Sequence, residues 1–295
     1  MKKIILPVVI IIPLLIVQVK AVAQEKTTSD SATTRFEGKK SYGLVSANYN
    51  SDIVFLGRKS SSRAPYLSAQ AGYYHKSGLF INSAVSYLAA SREKRIDLFT
   101  SSVGYDFYRK KFSTGISGTG YFFNNKSYTA KSALTGYLNA YAGYDFDIVE
   151  VYMDGTAYFS NATDFILGLG ISHSFYLADD NLRIIPSGYI YAGTQNYYGD
   201  YGNNQRFGRH MLSGGNSASM GAGMMGGGAF NILDYELSVP VSYTLNKFRF
   251  YFFPVYAIPV NAATITNNQD TYKEYLTNSF FWSLGVSYKI SKQKK

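Results

Sequence analysis

The stretch "DFILGLGISHSFYLAD", residues 164–179, decides the class of fold because its side chains alternate in character from one residue to the next. One face carries Phe165, Leu167, Leu169, Ile171, His173 and Phe175, and the other carries Ile166, Gly168, Gly170, Ser172, Ser174 and Tyr176. A period of two predicts a β-strand. A run longer than the ~9–11 residues that a tilted strand needs to cross a bilayer favours a membrane strand over a soluble one.

The same alternation recurs in "ALTGYLNAYAGYDF", residues 133–146, and in "NSFFWSLGVSYKI", residues 278–290. Followed along the chain, it predicts about twelve strands, and several strands of this length in one chain are typical of a transmembrane β-barrel. The predicted strands are 41–50, 65–75, 79–90, 96–108, 112–123, 132–145, 149–160, 164–177, 182–195, 229–243, 248–260 and 279–290.

The connections between these strands alternate in length. The short set comprises residues 75–78, 109–111, 146–148, 178–181 and 244–247, and the generally longer set comprises 51–64, 91–95, 124–131, 161–162, 195–228 and 261–278. Outer-membrane barrels place short turns on the periplasmic side and long loops outside. An even strand count then leaves both ends of the barrel on the periplasmic side.

Composition agrees with this fold class. The chain has 28 Tyr, 20 Phe and 27 Gly, and its 16% of charged residues is well below the ~25% of an ordinary soluble domain. In a barrel, only every second residue faces lipid, so the chain as a whole needs to be only moderately apolar. The absence of cysteine excludes disulfides, thiolate metal sites and cysteine nucleophiles.

The N-terminus predicts secretion. Lys2 and Lys3 precede an apolar run, residues 4–19, and the small-residue site Ala21-Val22-Ala23 follows. This layout is that of a cleaved signal peptide, residues 1–23. The run is shorter than the ~18 residues of a membrane anchor. We expect a disordered periplasmic lead-in at 24–40, one barrel domain at 41–290 and a basic tail at 291–295.

The net charge of +10 falls to about +7 without residues 1–23, which contain three lysines and no acid. The cations are scattered, which favours contact with outer-membrane lipid and lipopolysaccharide over nucleic acid.

Together, the Ala21-Val22-Ala23 site, the alternating strands and the aromatic last strand from Phe280 to Ile290 resemble the superfamily of Gram-negative outer-membrane β-barrel proteins. The resemblance covers nearly the whole mature chain and implies an all-β, antiparallel, up-and-down transmembrane barrel. It departs from the pattern at residues 291–295, because many such barrels end on an aromatic residue. The superfamily includes channels, adhesins, enzymes and stabilising proteins, so the resemblance does not choose among these functions.

Charged residues on the strands are expected to face the lumen, since an Arg or Lys facing lipid at mid-depth costs about 2–4 kcal/mol. The candidates are Asp106, Asp145, Glu150, Asp154, Arg183, Asp234, Glu236, Arg249 and Lys289. They form either a charged constriction or a set of paired charges that fill a narrow barrel. The predicted inward tyrosines favour the second alternative: Tyr137, Tyr141, Tyr152, Tyr158, Tyr189 and Tyr191.

Catalysis is not expected. His75, His173 and His210 show no arrangement of nucleophile, base and orienting group, and no histidine pair has the spacing of zinc ligands. We expect no cofactor.

The longest loop contains "GGNSASMGAGMMGGG", residues 214–228, which lacks the alternation of a strand. Three hypotheses stay open. The loop folds inward, and Arg206 and Arg209 constrict the lumen. Alternatively, thioethers bind a soft metal such as Cu(I), with candidate ligands His210, Met211, Met220, Met224 and Met225. In the third, the segment is a mobile surface loop.

The sequence therefore predicts a porin-like barrel that passively conducts or binds small solutes through a partly occluded lumen. The alternative is a closed structural or adhesin-like barrel that acts through its exposed loops 51–64, 195–228 and 261–278. A soluble secreted β-protein is the third possibility. The oligomeric state is left open.

Overall fold

A computed structural model describes residues 40–59, 63–90, 93–197, 223–225, 228–266 and 271–291. The predicted signal peptide and residues 24–39 of the lead-in lie outside the described residues, as do residues 292–295 of the basic tail. Their boundaries stay predictions.

Twelve antiparallel strands form one closed barrel within the described part of the chain. They are β1 (Tyr42–Asn50), β2 (Tyr66–Tyr74), β3 (Leu79–Ala89), β4 (Lys94–Arg109), β5 (Phe112–Phe123), β6 (Gly136–Asp145), β7 (Glu150–Phe159), β8 (Asp164–Ser172 and Phe175–Leu177), β9 (Leu182–Ile184 and Ser187–Gly193), β10 (Asn231–Ser238 and Val241–Leu245), β11 (Phe248–Pro259) and β12 (Ser279–Ile290). β12 pairs with both β11 and β1, which closes the ring. The predicted fold class is confirmed.

The outer face of the barrel is apolar. On β8, Phe165, Leu167, Leu169 and Ile171 are each more than half exposed, whereas the intervening Ile166 and Ser172 are buried. Closure leaves no strand edge in the lipid, where an unpaired amide would cost several kcal/mol. Aromatic residues on the outer face lie near the short turns: Tyr73, Tyr105, Phe107, Tyr144, Phe146 and Tyr243. They form an aromatic girdle at the end of the barrel that carries the short turns.

Two prolines explain why β9 and β10 are each described in two pieces. Pro186 and Pro240 lie in the gaps, and a proline has no amide hydrogen to donate to the ladder. Their carbonyls still accept hydrogen bonds, from the backbone of His173 and of Ile185 respectively. The strands therefore continue across the gaps toward the short turns.

Short elements lie in the long connections. A hairpin of Val54–Phe55 and Arg58–Lys59 lies between β1 and β2, and a 3₁₀ helix, Ala130–Ala133, stands where the sequence predicted the start of β6. No helix in the described ranges is long and apolar enough to cross a membrane.

A three-stranded sheet combines Gly223–Met225, Thr264–Thr266 and Thr271–Lys273. The expectation that the glycine–methionine stretch contains no strand was therefore wrong for these three residues. Its strand is made by backbone pairing with a distant loop, which side-chain alternation does not report.

Candidate functional site

The connection from β1 to β2 crosses the extracellular mouth of the barrel. Residues 51–59, here called the plug, begin at β1 yet contact side chains of β7, β8, β10 and β11. Phe55, Leu56 and Arg58 are buried at 6%, 8% and 4% exposure. The expectation of an exposed loop at residues 51–64 was therefore wrong for the plug. Its apolar side chains are covered by the far wall instead of facing solvent.

The tip of the plug is a tight turn. Leu56 and Gly57 both have positive φ, 50° and 72°, as the favoured two-residue hairpin turn requires. A Cβ atom at Gly57 would lie 2.6 Å from Asp234 Oδ1 and 2.8 Å from Pro259 Cβ. Both its backbone conformation and the space therefore require glycine at this position.

An apolar cluster surrounds the tip. It contains Phe55, Leu56, Leu134, Ile166, Tyr197, Leu233 and Ala263. The Phe55 ring packs edge-on against Tyr158 at 5.1 Å and against Tyr197 at 4.9 Å between centroids. Burial raises the pKa of Tyr197 well above its ordinary value, so its hydroxyl stays neutral. Burying one Phe side chain contributes roughly 1.5–3 kcal/mol, so the cluster favours the closed mouth.

Arg58 fixes the plug to the opposite loops. Its Nε donates to both carboxylate oxygens of Glu274, at 3.1 and 3.2 Å. Its two terminal nitrogens donate to the carbonyls of Leu56, Leu233, Val260 and Asn261, at 3.0–3.3 Å. Both members of the ion pair are nearly inaccessible to solvent. A planar guanidinium can satisfy this many acceptors at once, which a lysine cannot.

Sequence reasoning missed Arg58 and named Arg206 and Arg209 as constricting arginines. These two lie outside the described residues, so their role stays a prediction. A signal for Arg58 was present: the apolar run "IVFL", residues 53–56, and Gly57 precede it inside an otherwise polar loop.

Two carboxylates, the half-buried Asp52 and the buried Asp164, hold the loop bases around the plug. Asp52 accepts the backbone amides of Ile53 and Ala64, each at 2.9 Å. Asp164 accepts three donors at 2.6–2.7 Å, which are the Thr194 hydroxyl and the amides of Asn196 and Tyr197. Each carboxylate spans two chain segments, so the mouth is a connected structure.

A further buried carboxylate, Asp97, accepts hydrogen bonds from Tyr66, Arg95 and Ser127. Nearby, the Tyr128 hydroxyl donates to the Arg63 carbonyl at 3.1 Å, and burial raises the pKa of that hydroxyl. These contacts join the β1–β2 loop to the β5–β6 loop.

The predicted lumen charges lie on the strand faces that point inward, and several have identifiable partners. Asp106 accepts from the Tyr141 hydroxyl at 3.0 Å. Arg183 donates to Ser174 Oγ at 3.1 Å, Arg249 donates to Thr244 Oγ1 at 3.2 Å, and the Lys289 ammonium lies 4.8 Å from the Tyr42 ring centre. Asp154 approaches Gly168 on β8.

The structure brings some of these charges together and separates others. Asp145 and Glu150 are direct cross-strand partners, and Asp234 and Glu236 are neighbours on the inward face of β10, two residues apart. Arg249 lies away from Asp234 and Glu236, because it pairs with Thr244 near the β10–β11 turn, whereas Asp234 pairs with Pro259 at the other end of β11.

Inward aromatic rings lie along the wall, each over a glycine on the next strand. The cross-strand pairs are Phe80 with Gly104, Tyr141 with Gly115, Tyr152 with Gly143, Tyr189 with Gly170, Tyr191 with Gly168 and Tyr251 with Gly285. In each pair, a Cβ on the glycine would come within 2.2–3.0 Å of a ring atom. Their bulk therefore lies against the wall, which weakens the expectation that these tyrosines fill the lumen.

The histidines that the structure describes show no catalytic arrangement. His75 Nδ1 contacts Ser77 Oγ at 2.8 Å within an exposed turn, and His173 Nδ1 contacts the Ile148 carbonyl at 2.5 Å. His210, Met211 and Met220 lie outside the described residues, and Met224 and Met225 are described by their backbone pairing. Within the described ranges, no group of three or more His, Asp or Glu side chains could hold a metal ion.

No protein-family model and no curated protein matches the chain. Among solved structures, it is similar to the NanC porin, with a TM-score of 0.47, 11% identity, and coverage of 84% of this chain and 100% of that chain. It is also similar to the KdgM porin (0.43, 12%, 83% and 98%) and to the outer membrane protein OmpT of Vibrio cholerae (0.32, 10%, 88% and 100%). These likenesses are of general barrel architecture.

Proposed function

We propose that this protein is an outer-membrane channel for small solutes whose extracellular mouth is closed by the plug. The observation that carries the proposal is the nature of the closure. A loop segment crosses the mouth through non-covalent contacts, while several aromatic side chains of the wall lie over glycines of the neighbouring strand. A barrel closed in this way opens when one segment moves, without any change in the wall.

The lumen wall suits hydrated solutes. Hydroxyl and amide side chains face one another across neighbouring strands, and the hydrogen-bonded pairs are Ser68–Ser86, Ser102–Thr119, Asn139–Thr156 and Ser187–Ser238, at 2.7–2.8 Å. Carboxylates and cations are interspersed with them. Such groups can exchange hydrogen bonds with water and with small polar solutes.

The same proposal places the mature chain in the outer membrane of a Gram-negative bacterium, after cleavage near Ala23. Lipid and lipopolysaccharide would contact the apolar outer face and its girdle.

Conductance in planar lipid bilayers tests the proposal. Three detergent-folded proteins are compared, and heat-modifiable gel migration verifies that each is folded. They are the wild type, a variant with residues 52–63 replaced by a short Gly-Ser linker, and a variant lacking residues 214–228. We expect larger and steadier current steps from the plug deletion, and wild-type steps from the second deletion. If none of the three proteins carries current, the result would contradict a channel and favour a closed barrel that acts through its surface loops. Larger steps from the second deletion alone would instead make residues 214–228 the constriction.

A further inference from the structure

A pair of acids on β10 lies directly beneath the plug. Asp234 is 0% exposed, and the backbone at Gly57 closes over its carboxyl group. Glu236 is two residues further along the same inward face of β10, so its side chain neighbours that of Asp234. Closing the plug therefore removes water from a pair of neighbouring carboxyl groups.

The charges around the pair do not neutralise two carboxylates. Among the described residues, neither carboxylate oxygen of Asp234 has a hydrogen-bond partner. Arg58 is the nearby cation, but its Nε already binds Glu274. Among the described residues, the positive charge of Arg58 is therefore shared by three carboxyl groups, which are those of Asp234, Glu236 and Glu274.

Within the described part of the chain, the remaining groups near the pair add no cation. The titratable neighbours are Tyr189 and Tyr191 on β9, Asp154 on β7 beyond Tyr191, and Tyr197 from the β9–β10 loop. On β11, the positions opposite Asp234 and Glu236 are Pro259 and Ala257.

Burying a carboxylate without a partner is costly, and two adjacent carboxylates cannot both stay ionised in such a site. We propose that Asp234 and Glu236 form a proton-dependent latch: the plug closes over the pair as the pair takes up a proton, and ionisation of the pair releases the plug. The role of this release rests on the proposed function, since release of the plug would open the channel to solutes. The latch itself belongs to the closed mouth and can be measured without any current.

The direction of the pH effect follows from proton linkage. The closed state binds more protons than the open state, so acid favours closure and base favours opening. One proton per closure changes the ratio of open to closed molecules by up to about tenfold per pH unit.

Cysteine labelling measures this ratio directly, because the chain has no native cysteine. Leu56→Cys places a thiol at the buried tip of the plug, and Lys59→Cys, at an exposed position of the same hairpin, is the matched control. The ratio of their maleimide labelling rates removes the intrinsic pH dependence of thiol reactivity. We expect this ratio to rise severalfold as the pH is raised from acid to alkaline, because the pair ionises over that change.

Two further variants, with single variants in reserve, identify the titrating groups. Asp234→Asn with Glu236→Gln keeps the shape and removes ionisation, so we expect a low ratio at every pH. Asp106→Asn, which changes a lumen carboxylate on β4, should keep the wild-type response. The single variants Asp234→Asn and Glu236→Gln replace the double variant if it does not fold.

Two outcomes would overturn the latch. The first is a flat ratio in the wild type, or an unchanged slope in the double variant. The second is a response that disappears with a chelator and returns with calcium, because the pair would then take up a divalent cation instead of a proton. If the plug-deleted barrel carries no current in the bilayer experiment, the proposed channel is contradicted. The labelling result would still test the latch, because it does not depend on current.

Discussion

The barrel wall and the plug inside its mouth are stabilised in different ways. The wall is made of long antiparallel ladders, and its aromatic–glycine pairs recur on several strands. The plug is two short strand segments whose tip is fixed by Arg58, one glycine turn and a small apolar cluster. When one contact in the wall is lost, many others still stabilise the wall. When one contact of the plug is lost, a large share of the interactions that keep the plug in the mouth is lost with it.

This difference separates fold from function. The wall is closed by pairing of β12 with β1 over Gly43–Asn50, and Ser51 at the base of the plug continues this pairing through two hydrogen bonds with Trp282. Changes at the tip of the plug should therefore alter the state of the mouth while the barrel stays folded. The following predictions test that separation, from the largest expected effect to the smallest.

Arg58→Ala should have the largest effect. It leaves the buried Glu274 carboxylate without its cation and frees four backbone carbonyls, and breaking a buried ion pair in this way typically costs about 3–5 kcal/mol. We expect the plug to be displaced, with larger current steps and unchanged heat-modifiable migration. Arg58→Lys should restore closure in part. A barrel that loses its folded gel mobility with Arg58→Ala would show that the plug also supports the wall.

Gly57→Ala should weaken closure less. The added methyl group meets Asp234 and Pro259 in a left-handed backbone conformation, and such strain costs about 1–3 kcal/mol. We expect frequent opening in bilayer recordings. Gly228→Ala, at a loop glycine with open space around its Cβ position, is the control. Equal behaviour of the two variants would contradict the assigned packing of the turn.

Gly170→Val tests the wall. A Cβ there would lie 2.2 Å from the Tyr189 ring, so the ring should be pushed from the wall into the lumen, at an overpacking cost of about 1–3 kcal/mol. In the plug-deleted background, we expect a smaller current per step.

Gly188→Val, on the outer face of the paired strand β9, is the matched control for the wall variant. Its Cβ position has ordinary contacts, the nearest atom being at 3.6 Å. Its current should equal that of the parent. A smaller current from this control as well would indicate general distortion of the barrel.

Lys111→Ala should have the smallest effect. Lys111 in the β4–β5 turn hydrogen-bonds to Asp147 in the β6–β7 turn, and that bond raises the pKa of the Lys111 ammonium. A raised lysine pKa means that the contact is complete at neutral pH and is lost as pH rises beyond about 10. Because the pair is exposed and screened, we expect unchanged conductance and thermal stability. A clear fall in the melting temperature would show that these turns matter for assembly.

Much of the wall could be predicted from sequence, because alternation is local. β8, β11 and β12 lie within a residue or two of their predicted bounds. The start of β6 was placed too early, because Ala133 and Leu134 alternate like strand residues but belong to the helix-containing loop. Inward and outward faces followed from the same period of two, so the faces of the charged strand residues could be assigned without coordinates.

The site could not be predicted in the same way. Tyr189 covers Gly170 through a register between strands that single-strand alternation does not specify. Arg58 binds a carboxylate 216 residues away, and no local pattern connects them. The proximity of Gly57 to Asp234 depends likewise on the path of a loop across the whole ring.

The sequence by itself determined that this chain forms a closed antiparallel barrel, since lipid-facing and lumen-facing residues must alternate along every membrane strand. The tertiary structure alone decided which loop closes the mouth and which acids lie beneath it. The physical reason is distance along the chain. The alternation of inward and outward side chains is set by neighbours one and two residues away, whereas the plug is held by groups that come together only after the ring has closed.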